Sequence, residues 1–374
     1  MAATERVAGP GALVAAALAL PGVALSPAAQ AQSAPDAAFV QFKYLDYRDW
    51  QGGGRRMRVD SPGFYAVKPL SDSLVVEGSL VYDGMSGASP LYFNALSGAS
   101  GEGVRDYRTA GDAKVTKYFE RFAVGVGGAY SHERDYISRA GTVEVRAWTQ
   151  DRNRTYAFAF SGAADRIHTE SGAADRESKY VLDFLAGVTQ VVNPTLIVQS
   201  NVTYSRGHGY FTDPYKLLDR RPDHRRVLAW LTRANQHFPD SGGTLKAAYR
   251  YLDDSFGADS HLLEAAWHQS LPQGWSVTPS LRYLSQKAAW FFYGPPVGSG
   301  LRPGQPYTAD ARLSAFGALT PGILVAKQLD DGWVVDLKVE YYQQKSSWKL
   351  GGEGSEGILP LSARWIQLGV GRSF

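Results

Sequence analysis

The sequence has no cysteine among its 374 residues. This absence excludes disulfide bonds, a thiolate nucleophile and metal sites built from cysteine. Long apolar runs are also missing and the mean hydropathy is −0.25, so a membrane protein built of helices is excluded as well. The charges nearly balance, because 39 Lys and Arg face 36 Asp and Glu. The resulting net charge of +3 gives no reason to expect nucleic acid as a partner.

A short apolar run, from Gly11 to Leu20, lies near the amino terminus. Arg6 precedes it, and a small-x-small cleavage site, Ala29-Gln30-Ala31, follows it. This order is typical of a secretory signal peptide, and the run is too short to span a bilayer as a helix. We therefore predict that residues 1–31 are a cleaved signal peptide and that residues 32–374 form a single exported domain.

Aromatic residues and glycine are abundant, with 21 Tyr, 9 Trp and 40 Gly. Apolar residues recur with a period of two, and the charged residues within these segments keep to the other parity. Clear examples are Phe122, Val124 and Val126 alternating with Gly125 and Gly127, and Trp333, Val335, Leu337 and Val339 alternating with Asp336, Lys338 and Glu340. This pattern predicts β-strands, but it fits both a soluble sandwich and a membrane barrel.

The connections between the predicted strands distinguish these two folds. Short turns such as Asp151–Asn153 and Asp330–Gly332 alternate with longer connections such as 209–223 and 289–308. Such alternation is typical of periplasmic turns and extracellular loops. The sequence therefore predicts an all-β fold, a closed antiparallel transmembrane β-barrel of about sixteen strands with both termini in the periplasm. Fourteen strands are the alternative, because Gly52–Gly54 make the first connection unlike the other outer loops.

The chain ends in a strand pattern whose apolar parity includes Ile366, Leu368, Val370 and Phe374. A terminal Phe on this parity is similar to the signal by which bacterial outer-membrane barrels are recognised for assembly, and a strand of this kind suits a lipid-facing wall. We predict that Phe374 is an assembly signal. Outer-membrane lipid and the barrel-assembly machinery are the partners that this interpretation implies.

Several blocks of the sequence, taken in order, resemble a known bacterial family. The blocks are Asp83–Pro90, Ser131–Ser138, Asp213–Lys216, Tyr249–Gly257 and Pro279–Tyr283. They resemble the family called domain of unknown function 3570, and the similarity covers nearly all of residues 32–374. The resemblance implies an outer-membrane barrel without an established activity, often encoded beside thioredoxin-like and flavin-transferring periplasmic proteins. It also marks motif residues that we expect in outer loops, namely Asp83, Ser86, Gly87, Ser89, Pro90, Asp253 and Asp254.

The inward parity of the late strands carries polar and charged residues that we predict to line the lumen. They are Arg225, Arg233, Lys246, Arg250, Glu264, His268, Arg282, Asp336, Lys338 and Glu340. Such a set suits a mixed-charge constriction that selects among solutes. It equally suits salt bridges that only fill a narrow barrel. Within this set, we predict that Glu264 lies between Arg250 and Arg282 as their counter-charge.

Metal binding and catalysis find little support in the sequence. The outer carboxylates Asp83, Asp253 and Asp254 offer oxygen ligands for calcium, but their spacing does not match an EF-hand. Each Ser-His dipeptide, at 131–132 and 260–261, has neighbours that point to opposite faces of a strand, so neither forms a catalytic pair by itself. We predict no enzyme activity, no metal site and no cofactor.

Two functions stay open for such a barrel. The first is a channel or porin-like pore for small polar solutes, which needs a water-continuous lumen. The second is a plugged scaffold that partners periplasmic redox or flavin-transfer proteins. A barrel hydrolase is a distant third. All three place the mature chain in the bacterial outer membrane.

Overall fold

A computed structural model describes residues 32–87, 104–169, 174–216, 219–294 and 304–374. The predicted signal peptide, residues 1–31, lies outside these ranges, as do the motif residues Ser89 and Pro90. Among the described residues, no helix combines the length and the hydropathy needed to cross a membrane.

Sixteen antiparallel strands close into a barrel, and two very short strands form a separate pair. The barrel strands are β1 (Phe39–Gln51), β2 (Gly54–Ser71), β3 (Leu74–Gly87), β4 (Val104–Tyr118), β5 (Phe122–His132), β6 (Tyr136–Trp148), β7 (Arg154–Ile167), β8 (Glu177–Asn193), β9 (Leu196–Gly209), β11 (His224–Phe238), β12 (Gly243–Asp254), β13 (Ser260–Ser270), β14 (Trp275–Gln286), β16 (Phe316–Gln328), β17 (Trp333–Lys345) and β18 (Leu361–Ser373). The separate pair is β10 (Asp219–Arg220) with β15 (Tyr307–Thr308). The wall closes where β1 pairs with β18.

The predicted sixteen-strand antiparallel barrel is confirmed, and the fourteen-strand alternative is wrong. The first hairpin has a very short connection in which Gly52 and Gly53 adopt φ values of 58° and 81°. Tight two-residue hairpin turns need positive φ, which glycine adopts without strain. The glycines therefore close a hairpin of long strands, and they do not signal a missing strand pair.

The long connections all lie at one rim of the barrel, and the other rim has only short turns. The inner rim has the turns between β2 and β3, β4 and β5, and so on to β16 and β17, together with the barrel ends Phe39 and Ser373, which pair directly. The outer rim has the ends of β3, β7, β9, β14 and β17, which long connections follow, and also the short connections after β1, β5 and β12. By the usual arrangement of such barrels, the outer rim is the one expected to be extracellular.

The two faces of the wall differ as the alternation predicts. Large apolar side chains are exposed on the outside, for example Leu80, Val126, Phe158 and Leu368, which are 52% to 56% exposed. Polar and small side chains take the opposite parity and face the lumen. An exposed apolar band of this extent is unusual for a surface in water and suits contact with lipid.

Residues 32–38 fold inside the inner rim. Ala34 is buried against lumen-facing aromatic and aliphatic side chains, which are Tyr65, Val67, Val75, Tyr118 and Trp148. The side-chain amide of Gln32 donates to the Arg152 carbonyl at 3.0 Å and to the Thr155 hydroxyl at 2.9 Å. This segment therefore covers the part of the inner opening that adjoins β2 to β7.

Candidate functional site

The ten predicted lumen residues all lie on the lumen-facing parity of their strands, as the pairing register and the burial of that parity show. Arg233, Ala248, Glu264 and Arg282 are paired in a row across β11 to β14. Arg282 donates to Glu264 at 3.0 Å and approaches Glu340 of β17 at 3.5 Å. Ala248 is therefore the residue directly opposite Glu264 on β12, and Arg250 lies two residues farther along that strand.

A second charged network, on β3 to β6, was not among the predicted residues. The Lys114 ammonium lies 2.5 Å from Glu77 and 3.7 Å from Glu144, and Arg146 lies 2.7 Å from Glu144. Lys114 and Glu144 are on β4 and β6, so the lysine extends across β5.

Glycines of β5 make this contact possible. A methyl group on Gly125 would lie 3.6 Å from the Lys114 side chain, and one on Gly127 would lie only 3.2 Å from its Cβ. Because glycine lacks a side chain, the lysine can lie over β5 and meet Glu144. The sequence did contain a signal for this network, because Gly125 and Gly127 take the inward positions of β5 and leave room for a long side chain from a neighbouring strand.

One side of the lumen is filled by its own side chains, and we call it the packed wall. It comprises the lumen-facing residues of β18, β1 and β2. Buried members include Lys43, Leu45, Tyr47, Asp49, Gln51, Ser61, Tyr65, Ala363 and Gln367. Lys43 lies 3.7 Å from Asp336 of β17, and both side chains are nearly inaccessible. The Tyr47 hydroxyl donates to Asp49 at 2.8 Å, and Arg56 pairs with the same carboxylate at 2.6 Å.

Another side of the lumen is open to solvent, and we call it the accessible wall. It comprises the lumen-facing residues of β11 to β14. Among these residues only Arg225 and Asp254, both at the outer rim, are buried. Lys246 and Arg250 are exposed although they point into the barrel. Glu264, His268 and Arg282 are half-buried. The lumen therefore holds a solvent-accessible space on one side.

Two outer connections fold inward above this space, and we call their described residues, 210–216, 219–223, 287–294 and 304–315, the lid. The β10–β15 pair joins the β9–β11 connection to the β14–β16 connection. The lid lies over the lumen, because a methyl group on the lumen-facing Gly207 would meet the Phe211 ring at 2.6 Å. The lumen-facing Gln286 also donates to the carbonyls of Arg312 and Ser314, at 2.9 and 3.0 Å.

Buried ion pairs join the two halves of the lid. Arg312 pairs with Asp213 at 2.7 Å and also with Asp310. Arg221 pairs with Asp310 at 2.8 Å and with Asp219 at 2.9 Å. Thr308 of β15 donates to Asp219 of β10. Each half thus supplies charges that the other half compensates.

The pKa values of the lid carboxyls follow from burial and from these arginines. Burial alone would raise the pKa of Asp310, but the charges of Arg312, Lys216 and Arg221 outweigh it and hold the pKa well below its usual range. The pKa of Asp213 is lowered in the same way, against its burial, chiefly by Arg312. Burial dominates at Asp219 and raises its pKa. Asp310 and Asp213 are therefore negatively charged at neutral pH.

The described family-motif residues lie in strands, contrary to our expectation of loops. β3 continues to Gly87, so Asp83, Ser86 and Gly87 are strand residues. Asp83 faces the lumen, is buried and accepts from Arg108 of β4 at 2.7 Å. The run Gly84–Gly87 has weak strand propensity, which hid this extension in the sequence.

Asp253 and Asp254 likewise end β12 and do not lie in a loop. Asp254 is buried, pairs with Arg225 and accepts from the Phe256 amide at 3.0 Å. The Arg225 guanidinium lies 4.6 Å from the centre of the Phe256 ring. Phe256 in turn packs with Phe291 and Leu313 of the lid. Asp254 therefore supports the lid, and its ion pair with arginine offers a structural role in place of calcium binding.

Phe374 lies at the closing pair of strands. It takes the outward parity, is 65% exposed and donates its backbone N–H to the Ala38 carbonyl at 2.9 Å. The Arg372 guanidinium lies 5.1 Å from the Phe374 ring and 5.1 Å from the Trp333 ring. The arginine that interrupts the apolar terminal pattern thus packs on aromatic faces at the inner rim.

A solved outer-membrane protein has a similar fold. The chain is similar to a structure described as a bacterial polysaccharide outer membrane secretin, with 8% identity, a TM-score of 0.51, and 90% of this chain and 98% of that chain covered. It is also similar to the CymD monoaromatic hydrocarbon channel (9% identity, TM-score 0.46, coverage 100% and 94%) and to the siderophore receptor PirA from Pseudomonas aeruginosa (8%, 0.44, 90% and 80%). Identities this low show the fold alone, an outer-membrane-type β-barrel.

Sequence comparison is more specific. No curated protein matches the chain. The model of a family described as "Protein of unknown function (DUF3570)" matches residues 10–100 and 92–365. This match covers most of the chain and confirms the resemblance seen in its sequence blocks. The chain belongs to the DUF3570 family.

Proposed function

We propose that this protein is an outer-membrane pore for small polar solutes, with its path along the accessible wall and its lid restricting the path at the outer rim. The observation that supports the proposal is the exposure of Lys246 and Arg250 inside the barrel. A charged side chain is costly to bury without compensation, so exposed lumen charges indicate water in the lumen. Lipid and the barrel-assembly machinery are the partners proposed with this function.

The charges on the accessible wall favour anionic and polar solutes. On β11 to β14, away from the outer rim, four cationic side chains face the lumen against one carboxylate. They are Arg233, Lys246, Arg250 and Arg282 against Glu264. A lumen lined by charge of one excess sign attracts counter-charged solutes. We therefore expect anions to pass more readily than cations.

Cysteine labelling can test the water path directly, because the chain has no cysteine of its own. Lys246→Cys and Arg250→Cys should react rapidly with a charged, membrane-impermeant thiol reagent in the folded barrel. Lys43→Cys is the matched control, because Lys43 also faces the lumen but is buried in the packed wall. Equal, slow labelling at all three positions would contradict a water-filled path.

Conductance in a planar bilayer tests transport. Arg312→Ala leaves the carboxylates of Asp213 and Asp310 without this counter-charge, so the lid should open and single-channel conductance should rise. Arg206→Ala is the control, because Arg206 is exposed on the outward parity of β9 near the same rim.

The alternative function predicts a different result. A plugged scaffold for periplasmic redox or flavin-transfer proteins would conduct neither as the wild type nor as Arg312→Ala. Absence of conductance in both, with the barrel folded, would contradict the pore and favour the scaffold.

A further inference from the structure

Two histidines face each other at the base of the lid, outside the lumen. His208 is the penultimate residue of strand β9, His224 begins β11, and the two are directly paired. Their ring centres are 4.4 Å apart. Both take the outward parity and are exposed. The imidazoles therefore stand together in solvent where the β9–β11 connection leaves and re-enters the barrel.

The backbone holds this pair at close range. The Gly209 N–H donates to the Asp223 carbonyl at 2.8 Å, which makes 209 and 223 a hydrogen-bonded pair. The adjacent pair, His208 and His224, is then of the non-hydrogen-bonded type, in which cross-strand side chains approach most closely. Gly209 has a φ of 119°, and a methyl group there would lie 2.2 Å from the Ser178 carbonyl oxygen. Glycine is therefore required for the chain to leave β9 along this path.

A carboxylate completes the group. Asp223 Oδ1 lies 2.7 Å from His224 Nδ1. One donor atom from each of the three residues lies within 4.8 Å of the other two. The Asp223 and His224 side chains are 73% and 60% exposed, so they are free to adjust.

We propose that His208, Asp223 and His224 bind a divalent transition-metal ion such as Zn²⁺, Ni²⁺ or Cu²⁺. Imidazole nitrogen with carboxylate oxygen is a preferred donor set for these ions. Bonds of about 2.1 Å at tetrahedral angles place two donors about 3.4 Å apart, so donors that are now up to 4.8 Å apart must close by about 1.4 Å at most. Three protein ligands leave a coordination position for water or an external ligand.

Binding of this kind would connect the two ends of the β9–β11 connection. That connection carries Asp213, Asp219 and Arg221, whose ion pairs hold the lid. A metal ion bound at the base of this connection would therefore stabilise the half of the lid that the connection forms. The proposal does not depend on conduction, because the site lies on the outer face of the barrel and can be tested by binding alone.

Calorimetric titration of the tag-free, folded barrel in detergent with Zn²⁺ tests the site. We expect one bound ion per chain. His208→Ala and His224→Ala should each weaken binding at least about tenfold, and Asp223→Asn should weaken it less, because metal ligands and their carboxylate partners contribute on this scale. Zn²⁺ should also raise the unfolding temperature of the wild type but not that of His208→Ala.

The matched control is His168→Ala. His168 Nδ1 lies 2.8 Å from Asp175 at the same rim. This pair is an exposed His-Asp contact to which no third described His, Asp or Glu adds a ligand atom. The variant should bind Zn²⁺ as the wild type does. Wild-type affinity in the double variant His208→Ala/His224→Ala, or an equal loss in His168→Ala, would overturn the proposal.

Discussion

The packed wall and the accessible wall have the same strand pattern but different interiors. Both alternate apolar outward residues with polar inward ones, yet Tyr47, Tyr65 and Gln367 are buried on one side while Lys246 and Arg250 are exposed on the other. Strand parity therefore determines which face a residue takes, and the size of the side chains determines whether that face is wet.

Side-chain volume explains the difference. On the packed wall, the Tyr47 and Trp365 rings lie 5.3 Å apart, and Tyr342 packs edge-on against Trp365 at 6.0 Å. On the accessible wall, small side chains lie next to the charged residues: Ala248 is paired with Glu264, and Ala266 is paired with Lys246. Large rings fill their side of the lumen and exclude water from the ion pairs among them. Small residues leave the charges of the other side hydrated.

The largest expected effect comes from breaking an ion pair of the packed side. Asp336→Ala removes the carboxylate that faces the buried Lys43 ammonium, and a buried pair broken on one side costs about 3 kcal/mol. Lys246→Ala, on the accessible wall, should change the free energy of unfolding by less than about 0.5 kcal/mol. Urea unfolding in detergent measures both. Similar losses for the two variants would remove the distinction between the walls.

A smaller effect is expected from adding one methyl group to the packed side. A Cβ on Gly369 of β18 would lie 2.2 Å from an Asp336 carboxylate oxygen, so Gly369→Ala must displace that side chain. We expect a loss of about 2 kcal/mol in unfolding free energy, as in other overpacked cores. Gly141→Ala is the control, because nothing lies within 4 Å of its added methyl group. A neutral Gly369→Ala would show that the packed wall has room to relax.

On the accessible wall, charge should matter more than volume. Glu264→Gln removes one of the few carboxylates among the lumen cations. At about 8 Å in water one charge contributes about 0.5 kcal/mol, which corresponds to about a twofold shift of ion permeability toward anions. The reversal potential in asymmetric salt measures this shift. Glu120→Gln, at an exposed inner-rim turn, should leave it unchanged, and a shift of equal size there would contradict the role of Glu264.

The smallest effect is expected from mild acid. A carboxyl with a lowered folded pKa contributes stability that is complete above its unfolded pKa, about 3.9, and is lost as the pH falls through the folded value. Asp310 and Asp213 behave in this way, whereas the raised pKa of Asp219 means that its protonation in mild acid relieves a cost. Conductance of the wild type should therefore not rise between pH 7 and pH 5. A rise in conductance within this range would contradict the role of these carboxyl groups in holding the lid.

The barrel could be predicted from the sequence because its signals are local. The parity of Trp333 to Val339 and turns such as Asp330–Gly332 each lie within a few residues. The β1–β2 hairpin also depends on a local feature, because Gly52 and Gly53 adopt the positive φ values that its tight turn needs. A local signal also misled the prediction: the weak strand propensity of Gly84 to Gly87 indicated a loop, but these residues continue β3.

The lid and the two walls could not be predicted in the same way. Asp213 and Arg312 are 99 residues apart, and no pattern within either segment indicates the other. Glu264 and Asp336 both occupy inward positions, so parity cannot show that one is half-buried and the other buried. These differences depend on which loops fold inward and which rings share the lumen. Both are properties of the closed barrel.

The closing pair of strands has a consequence for how the barrel forms. Fifteen of its sixteen pairings join strands that follow one another around the wall, but the pairing of Phe39 with Ser373 joins the two ends of the described barrel. Closing a loop of that length directly costs about 3 kcal/mol more chain entropy than closing a hairpin of about ten residues. We therefore expect the hairpins to form first and bring the ends together, with closure of β1 on β18 as the slow, late step of folding. A change at this pairing should slow assembly more than an equal change in any hairpin.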